Sequence, residues 1–109
     1  MNAWIIIFIA GIFEVGFAFC LGKANQSSGS TAAIWYGAFA VSLTISMALL
    51  IKATQTLPIG TAYALWTGIG ALGSVIVGIL IFKEPATFWR IFFLSTLIVS
   101  IGGLKYVSN

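Results

Sequence analysis

The 109-residue sequence has no histidine, one cysteine, two prolines and only two acidic residues, and charged side chains make up 6% of it. Each scarcity removes a class of chemistry. Without histidine no Ser/His or Cys/His nucleophile–base pair can be assembled. One cysteine and two separated carboxylates are too few ligands for a metal cluster. Neither a metal ion nor another cofactor is expected, and hydrolytic or metalloenzyme activity finds no support. Cys20 has no second cysteine to pair with, and its apolar neighbours read as the surroundings of a buried thiol. Five Lys/Arg and two Asp/Glu cannot cover a water-soluble domain, which normally carries about 25% charged residues. Water is therefore not the main solvent of this chain. The formal net charge of +3 comes from basic residues scattered singly near the ends of apolar runs, where they serve as snorkelling anchors, so nucleic acid is not an expected partner.

What fills the sequence is apolar: 61% of residues are hydrophobic, in long unbroken runs. A spanning helix takes about 20 such residues, so four of them fit the chain. A transmembrane β-barrel would instead show alternating segments of about 10 residues. The spans are predicted over approximately 3–21, 31–51, 58–82 and 86–106, in a single four-helix domain covering 1–109. The stretch from Gly22 to Ser30 is read as the first loop, Pro58 as an opener of the third span, and Lys83-Glu84-Pro85 as the device that opens the fourth. No basic residue precedes the first span and a glutamate lies within it, so it reads as a retained span and not as a secretory signal. The fold class is all-α, integral and multi-pass, in the inner or plasma membrane, with lipid as an obligatory neighbour.

Lys/Arg counts normally orient such a protein. Four spans put Lys52, Lys105 and the terminal amine on one side, and Lys23, Lys83 and Arg90 on the other. This balance predicts insertion both ways up and, as its structural consequence, an antiparallel homodimer whose two copies mimic the inverted repeats of larger transporters. Four helices alone are also too few to enclose a polar pathway, which again calls for a second chain.

Glu14 is the only acidic residue inside a span. A charge at mid-membrane costs roughly 2.5–3.5 kcal/mol on insertion scales, so an intramembrane carboxyl is a functional candidate by default. Low dielectric favours its protonated form and a bound cation favours its ionised form, so one Glu can exchange a proton for a cation. Ala10, Gly11, Phe17 and Ala18 share its helix face: the small residues, Gly11 included, leave room, and Phe17 offers an aromatic wall. Ser42 and Ser46 share a face of the second helix and could donate a hydroxyl proton to the carboxylate, or bond their own helix instead. Tyr63, Trp66, Thr67 and Gly70 form one stripe on the third helix, with an O–H and an N–H that need partners. Gly68-Ile69-Gly70-Ala71-Leu72-Gly73 spells a dinucleotide fingerprint, but inside an apolar helix it reads as close helix packing or as a bend. Gly68 and Gly70 are the candidate hinge for alternating access.

The segments Ala10-Gly11-Ile12-Phe13-Glu14-Val15 and, above all, Leu57-Pro58-Ile59-Gly60-Thr61-Ala62-Tyr63-Ala64-Leu65-Trp66-Thr67-Gly68-Ile69-Gly70-Ala71 resemble the small multidrug resistance family over the whole chain. Gly103-Leu104-Lys105 is similar to the terminus of its guanidinium-exporting branch. The resemblance implies a proton-coupled antiporter, a secondary active transporter and not an enzyme. It also implies an antiparallel dimer, with Glu14 as the shared proton and cation carboxylate. Ser46 and Trp66 are then its hydrogen-bonding neighbours, Tyr63 a lining residue, and Gly68 and Gly70 the kink. Phe17 stands where that branch usually has Trp and the polyaromatic multidrug branch usually has Gly, so guanidinium and quaternary ammonium substrates both stay open. Outside transport, the alternatives are a non-transporting membrane subunit paired with a larger partner, or one half of a heteromeric transporter.

Overall fold

A backbone in lipid finds no water to bond, and a helix satisfies it within one segment. The computed structural model, which describes residues 2–107, accordingly consists of α1 (Ala3–Asn25), α2 (Gly29–Ala53), α3 (Ile59–Leu80) and α4 (Phe88–Val107), with no strand among the described residues. All four helices are long and apolar enough to cross a membrane.

The helix ends differ from the ends of the apolar runs, for local reasons. Asn2 caps α1 by accepting the Trp4 amide at 2.8 Å. At its other end α1 continues through Gly22-Lys23-Ala24-Asn25, a stretch whose polarity reads as loop. Lys23 complements the negative end of the helix dipole there, and the Ser27 hydroxyl donates to the Lys23 carbonyl at 2.8 Å. Polarity thus marks where the helix leaves hydrocarbon and not where it stops. Gly29 opens α2 at φ +61°, a conformation glycine adopts freely, and this permits a connection of only three residues. Pro58 occupies the N-cap position of α3, one residue before the first turn. Beyond Leu80 the Ile81 amide donates to the Val77 carbonyl at 2.8 Å and the Glu84 amide to the Gly78 carbonyl at 3.0 Å. Lys83 between them is left-handed at φ 60°, a conformation that costs a non-glycine residue roughly 1–2 kcal/mol. Helix α4 starts at Phe88, where Thr87 Oγ1 accepts the Arg90 amide at 3.3 Å. The Arg90–Glu84 pair at 3.0 Å is partly exposed at both partners and adds at most about 1 kcal/mol.

Helix α1 packs against both α2 and α3, while the backbone of α4 approaches only α3, its Lys105 ammonium reaching over the Trp4 ring of α1 at 5.0 Å. The buried core gathers Ile6, Ile7 and Ala10 of α1, Leu50 and Ala53 of α2, and Ala62, Leu65 and Trp66 of α3. These residues come from the start of α1, the end of α2 and the start of α3, so the core lies toward the end that carries the α2–α3 connection. No residue of α4 is buried, and Phe88, Trp89, Phe92 and Phe93 expose their rings, which lipid tolerates where water would not. The described residues span 46 × 35 × 18 Å, so the thinnest dimension is under two helix diameters of about 10–12 Å. One copy is a slab, not a closed tube.

Candidate functional site

Glu14 sits midway along α1, immediately beyond the core, and its carboxyl is directed at α3. Oxygen Oε1 is buried and has no hydrogen-bond partner, and Glu14 takes part in no ion pair among the described residues. An orphaned buried acceptor costs roughly 1–3 kcal/mol, more when charged. The arrangement therefore favours whatever brings a donor to it: a proton, or a cation bearing N–H groups.

Ser46 lies fully buried at the junction of three helices. Its hydroxyl donates to the Ala10 carbonyl at 2.7 Å and accepts the Trp66 indole N–H at 2.8 Å. Trp66 of the α3 stripe and Ser46 of α2 bond to each other, and this chain of bonds ends on the backbone one turn before Glu14 and not on its carboxylate. Trp66, Ser46 and Ala10 thereby clamp α3, α2 and α1 together behind the acid. Ala10 has no side-chain polarity to announce this role, so nothing in the sequence could have found it. Ser42 lies beside Gly16 of α1, its oxygen 3.9 Å from where a Cβ there would be.

The aromatic residues divide. Tyr63 is 56% exposed, its ring centroid 5.6 Å from that of Trp66. The Tyr63 hydroxyl bonds to no residue among those described. Phe17, one turn beyond Glu14 on α1, is half-buried and meets Phe39 of α2 edge-on at 5.6 Å.

The glycines are packing positions in an unbroken α3. A Cβ on Gly68 would touch Ile101 of α4 at 3.1 Å, one on Gly70 would run into the Glu14 carboxyl, and one on Gly73 would run into Val15. Both Gly68 and Gly70 are points of close approach, in a helix α3 that continues through both. Gly11 also differs from its expected use. The room it leaves is filled by Ile69, whose Cγ2 and Cβ would lie 2.5 and 2.9 Å from a Cβ at position 11. Gly11 thus serves the α1–α3 crossing, and free space beside the carboxyl must be sought on the side away from Ile69.

The sequence of residues 2–97 matches the family described as Small Multidrug Resistance protein. The chain is 46% identical over 103 residues to a guanidinium exporter of Salmonella typhimurium (strain LT2), covering 94% of this chain and 95% of the relative. It is 40% identical over 107 residues to a guanidinium exporter of Proteus vulgaris, with 97% and 99% covered. With a guanidinium exporter of Escherichia coli (strain K12) it shares 42% over 103 residues, with 94% and 95% covered. Four apolar helices and end-to-end similarity to exporters make this a multi-pass protein of the inner membrane. A chain with an intramembrane carboxyl beside a glycine-rich third helix, matched along nearly its whole length, belongs to the small multidrug resistance family.

Proposed function

We propose that the protein is a secondary active transporter that exports guanidinium, or a small substituted guanidinium, in exchange for protons. The observation that carries this reading is Glu14: a carboxyl at mid-span whose Oε1 is buried and without a donor, in a chain similar to proteins named guanidinium exporters. A guanidinium ion is planar and presents paired N–H groups, which a carboxylate accepts bidentately. A proton and such a cation compete for the same oxygens, so binding one releases the other, and alternating exposure of the site to the two sides couples their flows.

In this reading Glu14 holds proton or substrate. Ser46 and Trp66 hold the three helices in register behind it, Phe17 and Tyr63 belong to the surrounding walls, and Gly11 lets α1 and α3 cross closely beside it. Gly68 and Gly70 are where α3 flexes. The functional unit is a pair of oppositely inserted copies of this chain. Support comes from the balance of Lys/Arg between the two sides, from the slab-like single copy and from α4, none of whose residues is fully buried within its own chain.

Two measurements test this. Purified protein in liposomes on a supported membrane should give a proton-coupled current on addition of guanidinium. Silence with guanidinium, together with currents from tetraphenylphosphonium or quaternary ammonium ions, would instead select the multidrug reading. No current from either cation, with a stoichiometric partner co-purifying, would make the chain a subunit of something larger. For the dimer, a cysteine added at the C-terminus should label from both sides of native membranes in comparable amounts. Labelling from one side only would overturn the dual insertion.

A further inference from the structure

The seam between α1 and α3 is a series of side chains set into glycines of the facing helix. Ile69 of α3 lies on Gly11, and Val15 of α1 lies on Gly73, its Cγ1 3.3 Å from where a Cβ would be. Between these two contacts the side chain laid onto α3 is that of Glu14. A Cβ built on Gly70 would clash with the Glu14 carboxyl and lie 2.6 Å from its Cγ. Gly70 itself is buried. The carboxyl is thus seated against bare α3 backbone, and its position is set by a missing methyl group. Polar side chains do not seat it: the Ser46 hydroxyl and the Trp66 indole are spent on Ala10 and on each other.

We infer that Gly70 is a positioning residue for Glu14: the notch left by its absent side chain seats the carboxyl against α3, with Oε1 withdrawn from solvent and free of protein donors. This rests on the reading of Glu14 as the shared proton and cation site, and it assigns Gly70 a role separate from any bending of α3. Gly68 supplies the contrast. Two residues away on the same helix, it faces α4, where an added Cβ would meet the side chain of Ile101 at 3.1 Å. An alanine at either position stiffens the helix to a similar extent, whereas only one at 70 reaches the acid.

The chain contains two acidic residues, both glutamates, so carboxyl carbon NMR of the full-length protein labelled at Glu reads Glu14 directly, with Glu84 as an internal control. Gly70→Ala should displace the Glu14 carboxyl resonance well beyond its line width and leave Glu84 in place, while Gly68→Ala leaves both in place. In transport, Gly70→Ala should raise KM for guanidinium about tenfold, the equivalent of about 1.4 kcal/mol, with a smaller change in kcat. Gly68→Ala should act on kcat alone. Glu14→Asp, one methylene shorter, withdraws from the added methyl group, so its effect should be smaller in the Gly70→Ala background than in the wild type. Helical circular dichroism and a monodisperse elution profile establish that each variant is folded. The proposal is overturned if Gly68→Ala and Gly70→Ala move the Glu14 resonance alike, if Gly70→Ala leaves it unmoved, or if the Gly70→Ala and Glu14→Asp effects simply add. Should Gly70→Ala move the resonance while the wild type carries no guanidinium, the seating stands and the transport reading falls. A misfolded Gly70→Ala is replaced by Gly70→Ser, which adds a Cβ and an oxygen and must displace the same resonance.

Discussion

Replacing Glu14 with glutamine should reduce the guanidinium-induced current to the level of protein-free liposomes while leaving the protein folded. The amide has nearly the shape of the carboxyl, so the seam formed by Ile69, Gly70 and Gly73 should pack as before. Two capacities are lost together. Glutamine neither takes up nor releases a proton at any accessible pH, so no exchange can be coupled to it. It also presents no negative charge, so the charge-assisted bidentate bond to a guanidinium disappears, and such bonds are about twice as strong as neutral ones. Stability should be unchanged or improved, because a carboxylate inside a bilayer is costly and its neutral counterpart is not. The diagnostic result is therefore a normal or raised melting temperature with no current. Proton-coupled guanidinium flux surviving in Glu14→Gln would refute the assignment of the acid.

The second large effect is expected at Ser46, and it concerns the scaffold behind the acid. Ser46→Ala removes the acceptor of the buried Trp66 indole N–H and the donor to the Ala10 carbonyl. The Ala10 carbonyl keeps its place in the α1 ladder, but the indole nitrogen is stranded, at a cost of roughly 1–3 kcal/mol. Measured bonds between membrane helices are weaker, averaging about 0.6 kcal/mol, because the unfolded chain in lipid finds other partners. A loss near 1–2 kcal/mol is therefore expected in steric-trap or denaturant unfolding. A double-mutant cycle separates the bond from packing: Trp66→Phe should cost less in the Ser46→Ala background than in the wild type, since the N–H it removes is already unpaired there. Additive losses would show that the contact carries no coupling energy. Transport in Ser46→Ala should slow without losing its dependence on Glu14, because the serine holds the turn preceding the acid and not the acid itself.

Some of the molecule could be read from residue types alone. A chain with seven charged side chains and long apolar runs has no soluble fold open to it, and the obligation to satisfy the backbone in lipid leaves helices. The single acid within those runs was equally conspicuous, because its cost in hydrocarbon demands a use. The α3 stripe of Tyr63, Trp66, Thr67 and Gly70 follows from 3.6-residue periodicity, and two of its members do converge on the acid's surroundings: Trp66 through Ser46, and Gly70 by direct contact. Helix ends were less readable. In α1 the helix outlasts the apolar run by a turn, and in α4 it waits for the Thr87 cap, since hydropathy reports on solvent while capping depends on single side chains.

What only the tertiary structure decided is how the helices are rotated and slid against one another. In water, an apolar stripe on a polar helix declares which face turns inward. Here the helices are apolar all round, and lipid tails are as apolar as a neighbouring helix, so hydrophobicity selects no face and no register. Packing of small residues chooses them instead. That choice gives Gly11 to Ile69, turns the Ser46 hydroxyl toward the Ala10 carbonyl, sets Gly68 against α4 and seats the Glu14 carboxyl on Gly70. The sequence by itself determined the solvent, the helices and the acid. The contacts that orient the acid depend on ångström-scale fits between particular side chains and particular glycines, which arise only when all the helices are in place.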